Sequence, residues 1–161
     1  MKGRLSDEVY QLLLIQVANE MRNASVYLSM SNNMEVVGYK NSAKYFLSQH
    51  GEEMNHVRKI VAYMTERNAP ISLTDIEGVG EEQYTSPIEA FVDSQELEFM
   101  TTTEWNIIYE MCIEKKDWIT LELAREFMNI QEVGEEEIMG INDQLKLLGD
   151  NPISPVKVIV F

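Results

Sequence analysis

The sequence predicts an all-α fold: four long helices packed as a bundle, with one long crossover between the second and third. Three observations carry this. Apolar residues recur at helical spacing through four long segments, and Pro70, Pro87, Pro152 and Pro155 all avoid the interiors of those segments. Two of the three connections are short, which makes antiparallel hairpins, while the middle one spans roughly 18 residues, enough to cross the length of a bundle.

The first helix is expected from about Ser6 to Met34. Ser6 is placed as its N-cap, and Leu13, Glu20 and Tyr27 lie on one stripe flanked by Val17, Ala24 and Leu28. A turn follows in "EVVGYKN". The second helix is expected from about Asn41 to Arg67, with Phe46, Glu53, Ile60 and Arg67 on the stripe and Ala43, Leu47, His56, Val57 and Met64 beside it. The crossover "NAPISLTDIEGVGEEQYTSP" has no strong helix pattern. The third helix opens at Ser86-Pro87, a capping serine with proline at the first helical position, and runs to about Lys115 through Phe91, Glu98, Trp105 and Cys112. Its "TTT" at 101–103 weakens the helix, because β-branched residues lose side-chain freedom there. After the turn "EKKDW", the fourth helix is expected from about Trp118 to Leu148, with Ala124, Gln131, Ile138 and Leu145 on its stripe and Gly149 as its stop. The expected organisation is one domain over 1–161, with the bundle at about 6–148 and a tail at 149–161.

Charge narrows the partners. With 27 acidic residues against 13 basic ones, the formal net charge is −14, which repels nucleic-acid phosphates and attracts cations. No apolar run approaches the roughly 20 residues of a membrane span, so no membrane partner is expected. The single Cys112 has no intrachain disulfide partner, and the N-terminus reads as an amphipathic helix rather than a signal peptide, so a cytoplasmic location is expected.

Each apolar stripe is interrupted near its middle by a polar residue: Glu20 in the first helix, Glu53 and His56 in the second, Glu98 in the third and Gln131 in the fourth. A carboxylate in a bundle core is costly unless it is paired or holds a metal. At 1.5 Å rise per residue, these positions differ in depth by only about a turn, so their side chains can converge. Three glutamates, a glutamine and a histidine supply oxygen donors and one imidazole nitrogen, a set suited to iron or manganese rather than zinc. A bridging carboxylate would hold two ions about 3.5–4 Å apart. Tyr27, one heptad after Glu20, is placed to donate a hydrogen bond to such a centre or to be oxidised near it. Glu135, Glu136 and Glu137 point in several directions and read as a solvated face, and His50 reads as a surface residue.

With those residues in place, the segments "VYLSMS" (26–31), "AKYFLSQHGEEMNHVRK" (43–59), the Glu98 helix and "NIQEVG" (129–134) through "LKLLG" (145–149) resemble the non-haem ferritins, in particular the eukaryotic heavy-chain type. The resemblance implies a ferritin-like bundle whose first iron site matches Glu20, Glu53 and His56, and whose second matches Glu53, Glu98 and Gln131, with Glu53 bridging. Tyr27 matches the tyrosine beside the centre. It implies two irons per subunit and ferroxidase activity, with O2 or H2O2 taking electrons from ferrous iron and the ferric product stored inside a homo-oligomeric cage of 24 subunits.

The sequence also departs from that pattern. Ile130 stands where the heavy-chain type has a glutamate. Asn55 and Arg58 fall on the inner-surface nucleation cluster, Leu121 and Ala124 on the threefold-channel carboxylates, and Gly134 on a glutamate of a third iron site found in bacterial ferritins. The tail "DNPISPVKVIVF" replaces the expected fifth short helix with an apolar, proline-broken stretch. It reads as closing the subunit's own core or a symmetry contact, with docking onto a partner as the alternative. Two other functions compete: a non-storing di-iron peroxidase or oxidase resembling rubrerythrin, and a catalytically silent structural or iron-buffering subunit.

Overall fold

The computed structural model describes residues 3–73, 75–80 and 83–148. Among these residues there are four helices and no strand: α1 (Asp7–Val37), α2 (Lys40–Glu66), α3 (Pro87–Lys115) and α4 (Trp118–Leu148). The tail 149–161 and the expected stop at Gly149 lie outside the described residues.

Local chemistry sets the helix ends. Ser6 Oγ accepts from the Val9 backbone N–H at 3.2 Å, satisfying one orphan donor of α1. α1 runs three residues beyond the expected end and stops at Gly38, whose φ of 96° is left-handed backbone that suits glycine. At α3, Pro87 takes the first turn, and the Glu89 carboxylate reaches back to the Ser86 N–H at 3.3 Å and the Thr85 N–H at 3.0 Å. Asp117 caps α4, with Oδ1 accepting from the Thr120 N–H at 3.1 Å. The helix passes through Thr101–Thr103 without a break. There the Thr101 and Thr103 hydroxyls donate to the Leu97 and Phe99 carbonyls, each at 3.0 Å, one turn back.

α1 packs against α2, α3 against α4, and α1 against α3. The crossover tracks α1: Tyr10 OH donates to the Pro70 carbonyl at 2.8 Å, Arg22 pairs with Glu77 at 3.1 Å, and the Tyr84 N–H donates to Asn33 Oδ1 at 3.1 Å. From Tyr10 to Asn33 a helix rises about 35 Å, which the intervening extended residues can span. The crossover therefore returns the chain to the far end of α1. There α3 starts, runs antiparallel to α1, and ends where Lys115 pairs with Glu8 at 2.6 Å.

The buried apolar residues form two clusters. One gathers Val9, Leu13, Val17, Ile60, Trp105, Ile108 and Phe127 at the end where α1 begins. The other gathers Tyr27, Met30, Met34, Phe46, Phe91 and Ile138 at the opposite end. Between them lie the polar residues that interrupt the stripes. Leu28 and Leu47, expected beside the core, are 48% and 52% exposed instead. Each follows a buried aromatic, and one residue along a helix turns the side chain by about 100°, off the stripe. Cys112 is buried and free.

Phe46 is fully buried, with ring centroids 4.7 Å from Phe91 and 6.2 Å from Tyr27. Thermal and denaturant unfolding of the metal-free protein should show Phe46→Ala destabilised by about 3–5 kcal/mol, and Phe46→Leu by distinctly less.

Candidate metal centre

The centre is assembled from residues that are individually unfavourable in a core. Glu20 on α1 has no exposure, Glu53 on α2 has 3%, and the His56 side chain has 15%. Three residues apart on α2, Glu53 and His56 share a face, and Glu20 meets them from α1 across the hairpin interface. Donor atoms of the three all lie within 4.8 Å of one another. His56 Nδ1 donates to Glu53 Oε2 at 3.3 Å and approaches Glu20 Oε2 at 3.4 Å.

The two oxygens of Glu20 differ. Oε1 accepts from the Gln16 amide at 2.9 Å and from the Trp105 indole N–H at 3.2 Å. Oε2 is buried and has no hydrogen-bond partner, His56 standing near it as an ion-pair neighbour without hydrogen-bond geometry. A dry, orphaned carboxylate oxygen beside a second carboxylate and an imidazole is costly alone and is what a cation would satisfy. The residues present fit a metal ion.

α3 and α4 contribute a second group. Glu98 Oε2 accepts from the Gln131 amide at 2.9 Å, and its Oε1 accepts from the Tyr27 hydroxyl. Ser94 lies 3.1 Å from the Tyr27 oxygen and donates to it. Glu53, His56, Glu98 and Gln131 all line one cleft of ≈ 360 Å³ between α2 and α4, with Glu52, Glu126 and Glu137 among its other walls. Gly134 faces Glu98 there: a Cβ built on it would stand 3.4 Å from Glu98 Oε2. Thus the structure brings the donor atoms of Glu20, Glu53 and His56 together, places Glu98 and Gln131 as a bonded pair on the same cleft, and sets Tyr27 on Glu98.

Burial and proximity redistribute the protons. For Glu20, burial pushes the carboxyl up, but the adjoining His56 and Glu53 and the Gln16 hydrogen bond outweigh it and hold the group below its usual range. Burial, with the bond to Glu20 and its charge adding to it, pushes Glu53 well above that range. Burial also disfavours the His56 cation, yet the hydrogen bonds and charges of Glu20 and Glu53 raise it to about 10. Glu98 is raised, chiefly by burial. At neutral pH the metal-free centre therefore holds the His56 proton, and Glu53 takes up a proton more readily than a free carboxyl does; an ion competes with both.

Other polar partners escaped the stripe argument. Gln16 lies one turn before Glu20 on α1, and Trp105 lies seven residues after Glu98 on α3. That spacing was visible, but tryptophan on a stripe reads as core. Glu104 on α3 is half-buried and its carboxyl is raised by burial, with Asn19 and Gln16 opposing the rise. His50 is half-buried, its Nδ1 donating to the Ala24 carbonyl at 2.7 Å. Of the acidic run, Glu136 and Glu137 are exposed, while Glu135 is half-buried and accepts from the Thr102 hydroxyl.

The ferritin family, described as a ferritin-like domain, matches residues 10–148. The chain belongs to that family. It is 28% identical over 147 residues to the bacterial non-heme ferritin of Campylobacter jejuni, covering 91% of this chain and 87% of that one. It is 26% identical over 148 residues to the corresponding protein of Bacteroides fragilis, covering 91% of each. Among solved structures, the open pore ferritin of the archaeon Archaeoglobus fulgidus superposes with a TM-score of 0.91 at 25% identity, over 97% of this chain and 94% of that one. These relatives are bacterial and archaeal, and none of the three is of the eukaryotic heavy-chain type that the motifs resemble.

The proton distribution gives a pH dependence. The folded state holds the His56 proton more tightly than an unfolded chain, whose histidine titrates near 6.5, so this contribution to stability is complete below pH 6.5 and is lost as pH rises to about 10. Glu53, also raised, acts with the same sign from its own lower starting pKa, while Glu20, lowered, favours folding above the usual carboxylate range. Melting temperatures of the metal-free protein should fall between pH 6.5 and 10, and His56→Gln should flatten that slope.

Proposed function

We propose that this ferritin-like chain is an iron-storage ferroxidase: it oxidises ferrous to ferric iron at a di-iron centre within each subunit and sequesters the product in an oligomeric shell. The observation that carries this is the orphaned Glu20 Oε2 beside Glu53 and His56, in a family of iron-handling proteins. Ferrous iron is the substrate. Glu20, Glu53 and His56 take the first ion, and Glu53, Glu98 and Gln131 take the second, with Glu53 between them. Each ferrous ion gives up one electron, and dioxygen accepts both with two protons to become hydrogen peroxide, or hydrogen peroxide accepts them to become water.

The protein's part is to hold and exclude. Burial leaves the carboxylates little water contact outside the cleft, so each meets an ion with few competing ligands. Tyr27, whose hydroxyl is pushed well above its usual pKa by burial and by the Glu98 charge, stays protonated and orients Glu98. Both oxygens of Glu98 are hydrogen-bonded, to Tyr27 and Gln131, whereas Glu20 Oε2 has no hydrogen bond to give up, so the first ion binds more tightly than the second.

The cleft between α2 and α4 is the way in. Leu121 and Ala124, where the resemblance places channel carboxylates, are buried in the apolar cluster. The cleft instead joins the exposed Glu52 to Glu53, His56 and Glu98, and Gly134 leaves that passage open. A homo-oligomeric cage of 24 subunits is the assembly proposed from the resemblance, and its mass is read by light scattering.

Anaerobic loading with about two ferrous ions per chain, followed by oxygen, should give fast oxidation with a transient visible absorbance. Glu53→Ala should slow that phase by about 100-fold or more, because it removes a ligand from both ions. Equal rates in the two proteins would reject the ferroxidase and leave the silent, iron-buffering subunit.

A further inference from the structure

We propose that Trp105 is a positioning residue for the metal centre: its indole N–H, together with the Gln16 amide, pins Glu20 Oε1 and so presents Oε2 as the single metal-facing oxygen. The inference rests on the reading above that Glu20 takes an ion.

A buried carboxylate has two chemically equal oxygens, and either or both can bind a cation. Here two donors from two helices break that equality. Trp105 Nε1 on α3 and Gln16 Nε2 on α1 reach the same oxygen, at 3.2 and 2.9 Å, while the other oxygen is buried, has no hydrogen-bond partner and faces His56 at 3.4 Å. A half-turn of the carboxylate only exchanges its two equal oxygens, whereas tilting its plane away from Gln16 and Trp105 would leave both buried donors without an acceptor. The indole N–H donates and cannot accept, so it never competes for the cation. Glu20 is thereby set to bind through one oxygen, which leaves room around the ion for Glu53 and His56.

The ring of Trp105 is itself fixed. It is fully buried and stacks on Phe127 of α4, with centroids 4.0 Å apart and an interplanar angle of 7°. Phe127 in turn meets the His56 ring edge-on, at 5.5 Å and 80°. One aromatic pair from the α3–α4 hairpin thus backs two residues of the α1–α2 hairpin, Glu20 through a hydrogen bond and His56 through ring contact. A phenylalanine at 105 would retain the stack and lose only the donor, so packing and positioning can be separated.

The test uses Co(II), which binds without being oxidised under anaerobic conditions. Calorimetry and the visible Co(II) spectrum are compared for wild type, Trp105→Phe, Glu53→Ala and the control Trp118→Phe, whose tryptophan is 57% exposed and remote from the centre's residues. Trp105→Phe should weaken the tighter Co(II) site by about 10–100-fold and change its visible spectrum, as loss of a partner behind a metal ligand does. The control should match wild type. The Trp118→Phe chain leaves Trp105 as its lone tryptophan, and ultraviolet resonance Raman of the indole N–H should shift when Co(II) binds, because a coordinated Glu20 is a poorer acceptor. That measurement stands by itself if Trp105→Phe fails to fold. Unchanged affinity and spectrum in Trp105→Phe, or an unmoved Raman band with Co(II) bound, overturns the Trp105 role while Glu53→Ala still loses the ion. Failure of wild type to bind Co(II) overturns the metal centre and this inference together.

Discussion

Two carboxyl groups and an imidazole share one dry layer between two apolar clusters, and the rest of the bundle is organised around keeping them there. Isolated charges in such a layer cost several kcal/mol each, even after relaxation. The layer tolerates them because they answer one another: the His56 cation lies between Glu20 and Glu53, and burial holds the Glu53 carboxyl well above its usual range. The apolar clusters on either side supply the burial that offsets what remains. One oxygen, Glu20 Oε2, is left without a hydrogen bond, and it is the deficit on which the proposed metal binding rests.

This arrangement explains why both hairpins are needed. Glu20, Glu53 and His56 come from α1 and α2; Glu98 and Gln131 come from α3 and α4. The supports cross the same boundary: Trp105 reaches Glu20, Tyr27 reaches Glu98, and Asn23 donates to Thr101 at 3.0 Å. Hydrogen bonds in a low-dielectric layer are strong and sensitive to geometry, so they fix the depth at which the hairpins meet. The crossover follows α1 on the other side, and the α2–α4 cleft is lined by helix residues. One face is thus covered by returning chain while the opposite one gives access to the polar layer.

Burial and function pull against each other here. A layer of apolar side chains would pack these helices with no proton to place and no orphaned oxygen. Retaining the polar layer keeps the unsatisfied groups that the proposed metal site uses. Gly134 belongs to the same compromise: at a position lining the cleft and facing Glu98, it contributes no side chain to packing.

Periodicity alone determined the four helices, their order and the polar interruptions, because helical spacing is a local property and a misplaced charge is visible on any stripe. It placed Glu20, Glu53, His56, Glu98 and Gln131 at compatible depths. It did not tell which neighbour of a stripe would be covered, so Leu28 and Leu47 were assigned inward and lie outward. Nor did it separate a packing role from a hydrogen-bonding one: Trp105 reads as core, and only the approach of α3 to α1 turns its N–H onto Glu20. Which oxygen of Glu20 is pinned, which protons the empty site holds and where the cleft opens depend on distances between helices. Those distances are set by how four surfaces interlock, and a one-dimensional pattern carries no record of them.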